Sequence, residues 1–137
     1  MKKRKKIVVD TNIWISYFIW KSFPELHGNS LSTDFQIVFS VELLDEVRKV
    51  LERPKFQRHF FRVELDEFLF TLAADSNFIE VKSEVTLCRD PNDNYLLALA
   101  LDSEASFLVT GDKVLLVLKK IGNTQIISFK DFRKHLQ

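Results

Sequence analysis

Three acidic side chains stand where a short apolar run begins or ends and a fourth lies beside the apolar stripe of a helix, and carboxylates in such positions can hold a cation. Asp10 and Asp112 each follow an apolar run typical of a buried strand, whereas Asp93 stands in the polar turn before an apolar helical stretch. Glu46 lies at the flank of the apolar stripe of another predicted helix, nearer to the core than the other acids of that helix. If the four converge, their mutual repulsion has to be relieved by protonation or by a cation.

The available ligand types favour a hard divalent cation over zinc. The sequence has a single cysteine, Cys88, and no cluster of histidines. A cation held by carboxylate oxygens alone is typically Mg²⁺ or Mn²⁺. Such an ion lowers the pKa of a bound water and holds a phosphodiester oxygen, so the predicted chemistry is metal-assisted hydrolysis. Cys88 itself is interpreted as a small buried or half-buried side chain.

Each acid, taken singly, also has a structural interpretation. Asp10 begins a polar run that could cap the following helix, and Asp90 and Asp93 at a helix start could compensate the helix dipole. Glu46 could be a solvated residue paired with Lys49 or Arg53. The recurrence of acids at strand ends and helix starts favours the chemical interpretation.

The elements that must position these acids alternate along the chain. The predicted strands are 7–9, 35–39, 78–81, 105–109 and 126–129, and the predicted helices are 13–20, 41–51, 64–75, 95–101, 113–120 and 130–136. Ser40 is the predicted N-cap of helix 41–51, Pro54 follows its end, and Gly122 is predicted to end helix 113–120. Short apolar strands that alternate with helices indicate a mainly parallel sheet covered on both faces. Right-handed crossovers would bring the strand ends and helix starts to one edge of that sheet.

Length, charge and composition limit the number of domains and the class of protein. The 137 residues predict a single domain spanning 1–137, with residues 1–6 as a basic N-terminal extension. Five basic residues lie in that extension, which leaves fifteen basic against nineteen acidic residues elsewhere. The extension is either a solvated tail or a contact for nucleic acid. A lone cysteine, no apolar run of membrane-spanning length and no signal-peptide pattern predict a cytoplasmic protein with no membrane partner.

A basic and aromatic segment follows the helix that carries Glu46. Lys55, Arg58 and Arg62 are interleaved with phenylalanines and are candidates for contact with the phosphates of RNA. The same pattern suits a connection between helices whose phenylalanines face inward, and packing is the preferred role for the phenylalanines. His59 has no partner at ligand spacing and is interpreted as a surface residue. Trp14, Trp20 and the many phenylalanines should be mostly core, although an exposed apolar patch among them would favour a homodimer.

Four stretches of this sequence resemble the motifs of the PIN domain family. They are Val8-Val9-Asp10-Thr11-Asn12, then residues 40–47, then Asp90-Pro91-Asn92-Asp93-Asn94 with Ala98 and Ala100, then Leu108-Val109-Thr110-Gly111-Asp112. Their order and spacing carry the resemblance, which runs from the first strand to residues 127–129. The likeness is closest to the PIN proteins described as toxin components of toxin-antitoxin pairs. Two features depart from that group: the basic start, and Val41 where the group often has proline.

The resemblance implies a three-layer α/β/α sandwich and a Mg²⁺- or Mn²⁺-dependent ribonuclease. It carries over Asp10, Glu46, Asp93 and Asp112 as the catalytic and metal-binding set, with Asn12 and Thr110 as polar supports and Asp90 as an outer acid. The expected mechanism has the three aspartates holding one or two cations while Glu46 orients or deprotonates the attacking water. RNA is the implied substrate, and a toxin role would imply an antitoxin that covers the acidic cleft.

Other classes of function remain open on the sequence. A phosphoryl-accepting receiver domain also has acids at one edge of its sheet, and Lys130 could supply its lysine. Such a domain requires paired acids after its first strand, whereas here Asp10 stands alone. A phosphatase with an Asp-x-Asp signature fails because Asn12 occupies the second acidic position. The remaining alternative is a non-catalytic module that binds RNA or a protein partner on the same scaffold.

Overall fold

A central six-stranded sheet organises the protein. The computed structural model describes residues 4–26, 31 and 34–136. In chain order the strands are β1 Lys5–Val9, β2 Phe35–Phe39, β3 Asn77–Phe78, β4 Phe107–Val109, β5 Lys120–Ile121 and β6 Thr124–Ile127. Their order across the sheet is β3-β2-β1-β4-β6-β5, and all neighbours are parallel except β5 and β6.

Seven α-helices accompany the strands within the described ranges. They are α1 Thr11–Trp20, α2 Val41–Leu51, α3 Pro54–Gln57, α4 Arg62–Asp75, α5 Pro91–Ser103, α6 Lys113–Leu116 and α7 Phe129–Arg133. A short 3₁₀ helix at Pro24–Leu26 follows α1. None of the described helices combines the length and the apolar character needed to cross a membrane.

Both faces of the sheet are covered, as the apolar strands predicted. The consecutive residues Ile7, Val8 and Val9 of β1 are all 0% exposed. Because successive side chains of a strand point to opposite faces, burial of all three requires packing on each side. Helix α5 packs on β1 and β4, whereas α1, α2 and α4 pack on one another. The prediction of an α/β sandwich with a mainly parallel sheet is therefore confirmed.

The chain reverses its direction across the sheet next to β1. From β1 it proceeds through β2 to β3 on one side, and it then returns to place β4 and β6 on the other side. The carboxyl ends of β1 and β4 therefore flank the switch point, which is where open α/β sheets form a crevice for ligands. Asp10 and Thr110 directly follow these two strands.

The predicted helix 113–120 is wrong in its second half. Helix α6 ends at Leu116, and the chain then forms the antiparallel hairpin of β5 and β6. Gly122 turns this hairpin with a left-handed φ of 57°, and a Cβ there would lie 2.7 Å from Leu101 Cδ2. The helix was predicted from the spacing of Val114, Leu115, Val117 and Leu118, but the glycine is the first residue of a two-residue hairpin turn rather than a helix stop.

Several predicted boundaries also move. Strand β1 starts at Lys5, inside the predicted basic extension, and residues 1–3 of that extension lie outside the described residues. The predicted strand 78–81 is instead the two-residue β3 at Asn77–Phe78. Of the two tryptophans predicted to be mostly core, Trp14 is buried, but Trp20 at the end of α1 is 59% exposed and lies against exposed His59 with ring centroids 4.9 Å apart.

Candidate active site

Thr110 ties the ends of the two central strands together. The backbone amide of Asp10 donates to the carbonyl of Val109, 3.0 Å away, which continues the sheet by one residue. The Thr110 hydroxyl donates to Asp10 Oδ2 at 2.6 Å and accepts from the backbone amide of Asp112 at 3.0 Å. Because Thr110 is 0% exposed, this hydroxyl is fixed between the two acids. The polar support expected at this position thus holds the Asp10 carboxylate directly.

Thr110→Val is expected to lower the free energy of unfolding by about 1 to 2 kcal/mol, since it leaves a buried carboxylate and a backbone amide without their partner. The pKa of Asp10 should rise further, because the Thr110 hydrogen bond is one of the interactions that lower it. Urea denaturation at neutral pH measures the change, with exposed Thr86→Val as the matched control. An unchanged midpoint for Thr110→Val would show that the hydroxyl does not support Asp10.

Asp93 enters the site from the start of α5. Asp90 is the N-cap of this helix and accepts from the backbone amide of Asn92 at 2.9 Å, so this exposed side chain, which was predicted as an outer acid, has a structural role. Asp93 follows in the first helical turn and is only 7% exposed. The Asn94 side chain bonds the backbone of Cys88 in both directions at 2.8 Å and fixes the loop before the helix.

Glu46 comes from α2, whose start is joined to α5. The Ser40 hydroxyl caps α2 by accepting from the backbone amide of Leu43 at 3.1 Å, as predicted. The same hydroxyl is hydrogen-bonded to the hydroxyl of Tyr95, which stands two residues after Asp93 on α5. This link fixes the helix carrying Glu46 relative to the helix carrying Asp93.

One cavity of about 590 Å³ brings the four predicted acids together. Its lining includes Asp10, Asn12, Glu46, Asp90, Asp93 and Asp112. Three residues that were not predicted for the site also line it: Glu42, Asp45 and Tyr95. The acids come from two strand ends and two helices, as the topology required, and Thr110 lies beneath them.

Burial and like charges raise the pKa of two carboxyls in the cavity, Asp93 and Asp10. Burial raises the pKa of Asp93 to about 6, with further contributions from the charges of Asp112, Asp90 and Asp10 and from a hydrogen bond with Asp112. Burial is also the largest cause of the raised pKa of Asp10, opposed by its hydrogen bond from Thr110. Carboxyls that resist ionising together are ready to share a proton or to take up a cation.

The donor set fits a hard divalent cation in its chemistry. Neither Asp10, Asp93 nor Asp112 has an ion-pair partner among the described residues. The groups that meet here are carboxylates, which are the ligands that Mg²⁺ and Mn²⁺ prefer. However, no three acidic, histidine or cysteine side chains in the described part of the chain are already arranged as a complete metal site.

The basic residues that line the acidic cavity are not the ones predicted to contact RNA. Lys49 and Arg53 line the cavity, whereas Lys55, Arg58 and Arg62 are exposed and do not. Arg62 forms ion pairs with Glu52 at 3.2 Å and Asp66 at 3.6 Å.

The helical spacing of the sequence already indicates that the two basic residues lining the cavity lie on the same side as Glu46. Glu42, Glu46, Lys49 and Arg53 recur every three or four positions, which places them along one side of α2 and its extension. The alternative that Glu46 pairs with Lys49 or Arg53 is not observed among the described residues, and Lys49 pairs with Asp45 at 3.2 Å instead.

Comparison with known proteins gives this arrangement a family. A sequence model described as the PIN domain matches residues 6–114, a stretch that contains all four acids. The chain belongs to the PIN domain family. An uncharacterized protein of Methanocaldococcus jannaschii, MJ1680, is similar to this PIN domain, with 29% identity over 125 residues that make up 87% of this chain and 79% of that protein.

A solved structure shows the same fold. This PIN domain is similar to a chain in the crystal structure of VapBC2 from Rickettsia felis bound to a DNA fragment from their promoter. The TM-score is 0.60, and the likeness covers 88% of this chain and 96% of that chain at 20% identity. At this level of identity the likeness establishes the architecture only.

Proposed function

We propose that this PIN domain is a divalent-metal-dependent endoribonuclease that hydrolyses phosphodiester bonds in RNA. The observation that carries the proposal is the meeting of Asp10, Glu46, Asp93 and Asp112 in one cavity at the switch point of the sheet. Membership of the PIN domain family supports it, because the residues matched include all four acids.

The three aspartates would hold Mg²⁺ or Mn²⁺. When bound, the cation supplies a water of lowered pKa and a counter-charge for a phosphodiester oxygen. Asp10 is fixed for this role by Thr110, and Asp93, whose pKa is raised to about 6, would bind the cation in its ionised form. The side chains have to converge further on binding, since the described residues do not form a complete metal site beforehand.

Glu46 and the two basic residues that line the cavity have separate roles in this proposal. Glu46 is half-buried at the wall of the cavity, from where it would orient the attacking water or accept its proton. Lys49 and Arg53 line the same wall and would attract the phosphates on one side of the cleaved bond. Lys55, Arg58 and Arg62, outside the cavity, remain candidates for contact with RNA farther along the strand.

A toxin-antitoxin role is the biological part of the proposal. The R. felis complex with the same fold is named VapBC2 in its title, and this supports an antitoxin partner for the present chain. An antitoxin with basic side chains would neutralise the acidic cavity and close it to RNA. A homodimer formed through exposed apolar residues such as Trp20, and a cytoplasmic location, belong to the same proposal.

Purified protein incubated with single-stranded and structured RNAs tests the activity. We expect cleavage with Mn²⁺ or Mg²⁺, none with a chelator, and a rate about 10²-fold lower for Glu46→Gln, since a positioned general base contributes about 10² to 10⁴. Glu67→Gln on the outside of α4 is the control and should keep the wild-type rate. Cleavage that persists in the chelator would overturn the metal-dependent mechanism.

A non-catalytic RNA-binding module is the second candidate function. It is favoured by the incomplete arrangement of the metal ligands in the described residues. RNA that is retained intact at every cation concentration would select this function. The receiver-like alternative gains no support, because exposed Lys130 is not among the residues that line the acidic cavity.

A further inference from the structure

A second, smaller groove adjoins the acids on the side of α1. It measures about 320 Å³, and its lining includes Asp10, Asn12, Ser16, Phe23, Gly111 and Asp112. Asp10, Asn12 and Asp112 also line the larger cavity, so the acids stand between the two openings. An RNA strand that is cleaved at the acids therefore has one opening available on each side of the broken bond.

Phe23 is held firmly at the edge of this groove. The chain leaves α1 through Lys21 and reaches Phe23, both with left-handed φ values, 58° and 57°. The ring of Phe23 packs on Phe129 with centroids 4.5 Å apart. The guanidinium of Arg133 lies 5.8 Å from the same ring and forms an ion pair with Glu25 at 2.6 Å. These contacts compensate the backbone strain at Phe23 and fix its ring.

The two openings differ in the side chains that line them, and the difference decides what each can hold. The larger cavity is rich in carboxylates but also has two basic side chains, Lys49 and Arg53, which can contact phosphates. The smaller groove has two carboxylates and no basic side chain among the described residues that line it, so it disfavours a phosphate. Its aromatic and neutral polar side chains suit an uncharged planar group, and its volume is at the lower end for ligand sites, about 300 to 1,000 Å³.

We propose that the smaller groove holds one unpaired base of single-stranded RNA, on the nucleotide adjoining the cleaved bond. The base stacks on Phe23, and the Ser16 hydroxyl and Asn12 amide are the groups that hydrogen-bond its edge. This inference rests on the proposed ribonuclease function and adds a specificity-determining residue, Phe23, to it. A base inside a duplex could not enter the groove, so the substrate at this position is single-stranded.

Cleavage of a random-sequence RNA pool with Mn²⁺, followed by sequencing of the ends, tests the proposal. The wild type should favour certain bases at one fixed position next to the cut. Phe23→Leu should flatten that preference and lower kcat/KM by about tenfold, which is within the range for loss of one base stack. Ser16→Ala should change the preference among bases at the same position while leaving the Phe23 ring in place.

Two controls keep the outcome interpretable. Phe70→Leu alters an exposed phenylalanine of α4 and should leave the base preference and the rate unchanged. Thermal unfolding checks Phe23→Leu, because this residue packs on Phe129; if that variant does not fold, the Ser16→Ala result decides. Unchanged base preference in both variants, with the wild type cleaving RNA, would overturn this inference alone.

Anisotropy of a labelled single-stranded RNA, with Ca²⁺ replacing Mn²⁺, separates this inference from the proposed activity. If the wild type does not cleave RNA, the ribonuclease proposal fails, but an affinity about tenfold lower for Phe23→Leu than for the wild type still supports the base-binding groove. Equal affinities would overturn it, and absence of RNA binding by the wild type would overturn both.

Discussion

Asp10→Asn should reduce manganese-dependent RNA cleavage by about 10³-fold or more while the protein stays folded. Asparagine has nearly the same shape, and its amide oxygen can still accept the hydrogen bond that Thr110 gives to Asp10. What the substitution removes is the negative charge at the centre of the acidic cavity. Because a cation between carboxylates is bound chiefly by their charge, its affinity and the activation of water should both fall.

Stability and a matched variant make this prediction specific. Asp10 is buried beside Asp112, whose charge contributes to its raised pKa, so loss of the charge should leave the melting temperature unchanged or higher. Asp75→Asn at the exposed end of α4 is the control and should retain full activity. Wild-type activity in purified, folded Asp10→Asn would remove Asp10 from the catalytic set.

The location of the site was predictable because it depends on short-range patterns and on topology. A buried β-branched strand followed by an acid could be recognised at Asp10, and the parallel arrangement then fixed the edge at which Asp112 joins it. The Ser40 cap could likewise be recognised from its position before an amphipathic helix. These inferences needed only the local sequence and the rule that parallel crossovers share one hand.

Contacts between distant segments were beyond such patterns. The bond between Ser40 and Tyr95 joins residues 55 positions apart, and no local signal marks Tyr95 as its partner. Phe23 adjoins the acids because a left-handed turn after α1 brings it back over Phe129. The β5–β6 hairpin was missed for a different reason, since apolar residues with helical spacing outweighed the turn signal at Gly122.

The stability of the metal-free protein is expected to fall as the pH rises from about 4 to about 7. Asp93 has a pKa of about 6 in the folded protein, against an ordinary value of 3.8. The folded state therefore binds a proton more tightly than the unfolded state, and this stabilisation is complete below pH 3.8 and lost as the pH passes 6. The cost at neutral pH should be about 1 to 3 kcal/mol, since one pKa unit corresponds to about 1.4 kcal/mol.

Other carboxyls make the protein more stable as the pH rises, but their effect occurs at lower pH. The pKa of Glu25 is lowered by its hydrogen bond and ion pair with Arg133, and that of Asp102 by bonds from Ser83 and the Lys82 amide. Such groups add stability as the pH rises through the acid range, before most of the Asp93 proton is lost. The difference between the wild type and Asp93→Asn cancels their contribution and isolates the cost at Asp93.

Urea denaturation in a chelator at several pH values should therefore show Asp93→Asn gaining stability over the wild type as the pH rises, with the gap widest above pH 6. Addition of Mn²⁺ should reverse the order at neutral pH, because the cation stabilises the wild-type carboxylates and binds the variant less well. The same substitution would thus stabilise the metal-free fold and abolish cleavage, which is the expected behaviour of a charge kept for chemistry rather than for folding. A gap that is constant across the pH range would mean that Asp93 is already ionised at pH 4, and the like-charge repulsion that makes this cavity a cation site would then be absent.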